Sequence, residues 1–141
     1  MTREDKILLL EDLCARLPFG VKVHDSRLGS DWTLQQMHIH MSSIDKVTIN
    51  FDYESEIDNF RPYLRPLSSM TEEEYEKLGS WIYIKTGQSG QLLFDGFKEI
   101  STEDTLEALR FLNQHLFDYR GLIERGLALE STEEMYKTIE I

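Results

Sequence analysis

A single cysteine, Cys14, excludes an intrachain disulfide and a cysteine zinc site. It falls on the leucine-bearing stripe of the first predicted helix, where a thiol reads as buried and inert. Long apolar runs are also missing. The run after the charged N-terminus, Ile7 to Leu10, is too short for the apolar region of a signal peptide, and no stretch approaches the length of a membrane span. These absences predict a cytoplasmic chain with no membrane partner. Positive charge is scarce: 15 Lys and Arg against 26 Asp and Glu give 15 − 26 = −11. A surface that negative repels phosphate, so nucleic acid is not an expected partner. Gly87-Gln88-Ser89-Gly90 lacks the lysine and the strand-to-helix setting of a phosphate loop and reads as a turn.

What is present suffices for a packed interior. Hydrophobic residues make up 40% of the 141 residues and aromatics 11%, which predicts one folded domain over 1–141. Thr2 with Asp5 three residues on predicts a capped helix bearing Ile7, Leu10, Leu13, Cys14 and Leu17 on one stripe, stopped by Pro18. Val21 and Val23 predict a strand, and His24 to Asp31 a loop. From Trp32 to Met41 the residues alternate, but the apolar parity changes, which a bulge near Gln35-Gln36 would absorb. Ser42 to Lys46 reads as a turn. Val47, Ile49, Phe51 and Tyr53 alternate with polar residues and complete an antiparallel hairpin, with Asp52, Glu54, Glu56 and Asp58 as an acidic ramp leading out.

Two Arg-Pro steps make Phe60 to Leu67 an extended segment. Thr71 and Glu74 form a capping box for a short helix closed by Leu78-Gly79, with Met70 placed to pack on Tyr75. A second hairpin is predicted from Trp81–Lys85 and Gln91–Phe94. Ser101 and Asp104 begin a helix with Leu106, Leu109, Leu112 and Leu116 on one face. Asp118 then caps a further short helix ending at Arg125-Gly126, and 131–141 reads as a loosely held terminus. This order predicts an α+β fold with a mostly antiparallel sheet of about four to five strands, an N-terminal helix and C-terminal helices.

Two blocks stand out, Arg61-Pro62-Tyr63-Leu64-Arg65-Pro66-Leu67-Ser68-Ser69-Met70-Thr71-Glu72-Glu73-Glu74 and the stretch Phe111 to Leu129 containing Phe117-Asp118-Tyr119-Arg120-Gly121-Leu122-Ile123. With Leu17-Pro18-Phe19-Gly20-Val21-Lys22 they resemble a family of small uncharacterised proteins encoded by phages, prophages and other mobile elements of gut anaerobic bacteria. The resemblance implies a genetic context and carries over no activity, ligand or catalytic residue. Family members often have two adjacent histidines where this chain has His115-Leu116.

Candidate chemistry is sparse. His38 and His40 share a strand face and could supply two metal ligands, giving a metal-dependent enzyme as one alternative; the strand is equally explained with both imidazoles in solvent. The carboxylate runs Asp52–Asp58 and Glu72–Glu76 read as solvated faces, and no acid-base pair stands out. Acidity also permits an inhibitor that mimics nucleic acid and blocks a host DNA-binding enzyme. Arg61, Arg65 and Arg120, set among Tyr63, Asp118 and Tyr119, are the distinctive cations. Structurally, they would pin the two blocks together, with Arg65 or Arg120 bridging Arg61–Leu67 to Asp118–Leu129; functionally, they would form a docking surface. The expectation is therefore a non-catalytic, protein-binding accessory protein with no cofactor.

Overall fold

The computed structural model describes residues 1–39, 46–49, 53–80, 84–86, 92–94 and 102–136. The fold is α+β. Helix α1 (Arg3–Arg16) starts from a capping box in which Thr2 Oγ1 accepts the Asp5 N–H and the Asp5 carboxylate accepts the Thr2 N–H. Its buried face is Leu9, Leu10, Asp12, Leu13 and Arg16, whereas Ile7 and Cys14 are exposed. The expected stripe is thus rotated, because an acid and a base four residues apart occupy the inward face. Cys14 is not core, although nearby protein partly desolvates the thiol and pushes its pKa up.

Strands β1 (Lys22–Asp25), β2 (Ser30–Thr33), β6 (Phe60–Leu64) and β9 (Leu129–Glu130) form a four-stranded sheet in the order β2-β1-β6-β9. The first two pairings are antiparallel and the β6–β9 pairing is parallel. Part of the expected His24–Asp31 loop is therefore strand. Asp25 makes the hairpin: its carboxylate accepts the Arg27 N–H, its carbonyl accepts the Gly29 N–H, and Gly29 takes a φ of 64°. Pro62 lies before the β9 pairing begins at Tyr63, where β6 is still an edge on that side.

A second sheet contains β3 (Met37–Ile39), β4 (Lys46–Ile49) and β5 (Tyr53–Glu56), all antiparallel. The parity change after Leu34 is not a bulge: β2 belongs to the first sheet and β3 to the second, so the two halves pair with different strands. Likewise Val47 to Tyr53 is not one strand, since Ile49 pairs with Tyr53, and the acidic residues Glu54 and Glu56 are part of β5. The third sheet pairs β7 (Ile84–Thr86) with β8 (Leu92–Phe94). The turn residues 42–45 and 87–90, the cap residue Ser101 and the terminus 137–141 lie outside the described residues.

Helix α2 (Glu72–Gly79) has the expected capping box. Helix α3 (Thr102–Gln114) buries Ala108, Phe111 and Leu112 and leaves Leu106 61% exposed, so its face is also rotated from the leucine stripe. It ends in paired bonds from Phe117 N–H to the Leu112 carbonyl (2.9 Å) and from Leu116 N–H to the Asn113 carbonyl (3.1 Å), with Leu116 left-handed at φ 61°. That conformation costs a leucine about 1–2 kcal/mol. Full burial of its side chain offsets the strain.

The segment after Asp118 is a series of turns and not a helix. Gly121 and Gly126, both at positive φ, break any helical run between them. The Asp118 carboxylate accepts the N–H groups of Leu122 and Ile123, each at 2.9 Å. The larger core joins α1, β1, β6 and the turn residues Leu122 and Leu127, and a smaller one holds Leu78, Ala108, Phe111, Leu112 and Phe117. Part of the expected loose terminus is anchored: Ser131 N–H bonds the Leu64 carbonyl, and Tyr136 packs on the larger core.

Candidate functional site

The motif arginines are engaged with the fold. Arg61 donates from Nε to the Gly126 carbonyl (2.9 Å) and from Nη1 to the carbonyls of Asp58 (2.8 Å) and Phe60 (2.9 Å). Its side-chain hydrogen bonds tie the two blocks together. Arg65, expected to bridge them by hydrogen bonds, spends two parallel bonds of 2.8 Å on Glu74 and meets the second block by stacking 4.1 Å over the Phe117 ring. Its main chain reaches the second block as well, through Arg65 N–H to the Leu116 carbonyl and Asp118 N–H to the Arg65 carbonyl. Burial pushes the Glu74 carboxyl up, yet the bonds from Arg65 and Thr71 outweigh it and bring the pKa down to about 2.

Arg120 does not bridge the blocks; it reaches α1, where Nη1 lies 2.7 Å from Asp12 Oδ1. The same oxygen accepts from Arg16 Nη2 at 3.1 Å and Nε at 3.3 Å. Arg16 is fully buried and also donates to the carbonyls of Leu112 and Phe117. Arg16 and Arg120 both stack on Tyr119, whose hydroxyl bonds Asn113. Asp12 Oδ2 is buried with no partner among the described residues. This cluster joins α1 to the α3 terminus across the boundary between the two cores, and sequence patterning missed Asp12 and Arg16. Their i, i+4 spacing was the available signal.

Among the described residues a further organised polar cluster lies on the surface. On the outer face of the four-stranded sheet, His24 of β1 pairs across the hairpin with Asp31 of β2 and on its other side with Arg61 of β6. His24 Nδ1 lies 2.8 Å from Asp31 Oδ1, which also accepts the Tyr63 hydroxyl at 2.9 Å. A carboxylate only accepts, so Nδ1 carries the proton of this contact. The Tyr63 ring stands edge-on to the imidazole at 6.4 Å. The His24 bond holds the Asp31 carboxyl below its ordinary pKa, and burial with the Asp31 bond pushes the Tyr63 phenol up. Lys22 and Leu129 complete the face, Leu129 opposite Tyr63 and 37% exposed.

Tyr136 sets this face from below. Its hydroxyl donates to the Tyr63 carbonyl (2.7 Å) and accepts the Lys22 N–H (2.9 Å), and burial pushes its phenol well up. The cluster escaped the sequence reading because His24 and Asp31 were assigned to a loop; the turn chemistry of Asp25 and Gly29 was the missed signal. Of the two candidate metal ligands, His38 lies exposed on β3 opposite Thr48, and His40 lies outside the described residues. Among the described residues no group of three His, Cys, Asp or Glu side chains is placed to hold a metal ion. No described helix is long and apolar enough to cross a membrane. No known protein family, curated protein or solved structure matches the chain.

Proposed function

We propose that this chain is an accessory protein of a phage or mobile element that acts by binding another protein and not by catalysis, and that it docks through the outer face of its four-stranded sheet. The genetic context rests on the resemblance carried by the Arg61–Glu74 and Phe111–Leu129 blocks. The mode of action rests on one observation. Arg65, Arg120 and the buried carboxylates are committed to internal acceptors and donors, while His24, Tyr63 and Leu129 stand together on an open sheet face with Lys22 and Arg61 beside them. Aromatic and cationic side chains fixed at the centre of a face are the residue types that carry binding energy at protein interfaces.

Site-specific photo-cross-linking tests this reading. A photoreactive residue at Leu129 should yield one discrete protein adduct in cells carrying the native genetic element, and Tyr63→Glu should abolish it. The same residue at Glu107, exposed on α3, should yield none. Equal adducts from both positions, or none from Leu129, would overturn the assignment of this face.

A further inference from the structure

We infer that the partner presents an acidic, extended segment to this sheet face. The inference rests on the face being the docking surface and adds the chemistry of what it takes. Its basis is a local reversal of charge. The chain as a whole carries −11, yet the outer face of β1, β2 and β6 combines two cations, Lys22 and Arg61, with one carboxylate, Asp31.

That carboxylate is already occupied by His24 and Tyr63. Neither cation is ion-paired: among the described residues no carboxylate lies within 4 Å of Lys22 or Arg61, Asp31 acts on Lys22 only from beyond that distance, and Arg61 bonds backbone carbonyls only. By contrast Lys6, Arg16, Arg65, Arg120 and Arg125 each have a carboxylate within 4 Å. A face with two cations against one carboxylate attracts further carboxylates, and the net negative charge of the rest of the chain confines them to that face.

The spacing matches an extended peptide. Lys22 and His24 are two residues apart on one strand, about 6.7 Å, and Arg61 sits beside His24 one strand spacing away, about 4.8 Å. Acidic residues at alternate positions of an extended chain recur at the same interval of about 6.7 Å. Their carboxylates can meet the Lys22 ammonium and the remaining Arg61 Nη2, and accept from His24 when Nε2 is protonated. Tyr63 and Leu129 offer the apolar contact between them. A long polyanion is disfavoured, since beyond this face it would meet the acidic remainder of the surface.

Fluorescence anisotropy with a labelled octapeptide of alternating Glu and Thr tests this directly. The acidic probe should bind at low salt and weaken as salt rises, and a Lys-Thr octapeptide should not bind. Lys22→Glu should weaken the acidic probe tenfold or more without changing the melting temperature, and Glu107→Lys on α3 should leave binding unchanged. Absence of acidic-peptide binding, equal affinity for the basic peptide, or indifference to Lys22→Glu would overturn the inference. Tighter binding of a single-stranded oligonucleotide through the same lysine would do so too. If Leu129 cross-links a partner while the acidic probe fails, the docking face stands and only its charge preference falls; if both fail, both fall.

Discussion

Asp12 and Asp31 are built alike and used differently. Each offers one carboxylate oxygen to two donors, Arg16 and Arg120 in the first case and His24 and Tyr63 in the second, and each cluster includes a tyrosine ring. Asp12 is fully buried, whereas the Asp31 side chain is 49% exposed. In the interior, removing any partner strands a charge that water cannot reach, so the cluster is bound to the fold. On the sheet face water replaces a lost partner at little cost, and the same constellation is available to another molecule. Arg65 and Glu74 lie between these limits, their side chains 24% and 17% exposed.

Substitution should order the three sites by burial. Arg16→Met keeps volume but leaves Asp12 with Arg120 alone, and is expected to cost about 3–5 kcal/mol in urea denaturation. Combining it with Asp12→Leu should recover part of that loss, because the Leu112 and Phe117 carbonyls each keep a backbone donor. A double variant less stable than Arg16→Met would break the comparison at its buried end.

Arg65→Ala should cost about 1–3 kcal/mol, and Arg65→Lys should restore only a fraction because the two-pronged grip on Glu74 is lost. The pH dependence has a defined sign. The folded-state pKa of Glu74 is depressed to about 2 from 4.5, so its contribution is complete above about pH 4.5 and is lost as pH falls towards 2. With partial exposure, this component amounts to roughly 1–2 kcal/mol. Glu74→Gln should flatten the stability profile across that window, and an unchanged profile would show that the pair contributes nothing.

A smaller loss, about 0.5–1.5 kcal/mol, is expected for Arg61→Ala, since solvent can hydrate the Gly126 carbonyl it leaves. Smallest of all, His24→Gln and Tyr63→Phe should each change stability by no more than about 0.5 kcal/mol. A loss above about 1.5 kcal/mol at either position, measured by thermal melting, would place the outer cluster with the buried one and remove the case for a docking face.

Local chemistry was legible in the residues. The capping boxes at Thr2 and Thr71, the extended Arg-Pro segment and the antiparallel β3–β4 and β7–β8 pairings all follow from short-range bonding and alternation. Helix faces were less legible. The leucine pattern pointed α1 towards Cys14 and α3 towards Leu106, but the inward faces were settled by Arg16 filling the boundary between two cores and by Phe111 and Leu112 packing under Phe117. Hydrophobic periodicity scores an inward arginine as outward, so a buried ion cluster turns the apparent stripe.

The sequence by itself determined where the chain caps, turns and runs extended, because those preferences depend on neighbours within about four residues. Tertiary structure alone decided that Trp32 and Met37 belong to different sheets and that His24, Asp31 and Tyr63 converge. Those outcomes depend on partners far along the chain, Tyr63 lying 32 residues from Asp31 and Arg120 lying 108 from Asp12. A contact across such a distance is set by which surfaces can be buried together, a quantity that no local window of residues contains.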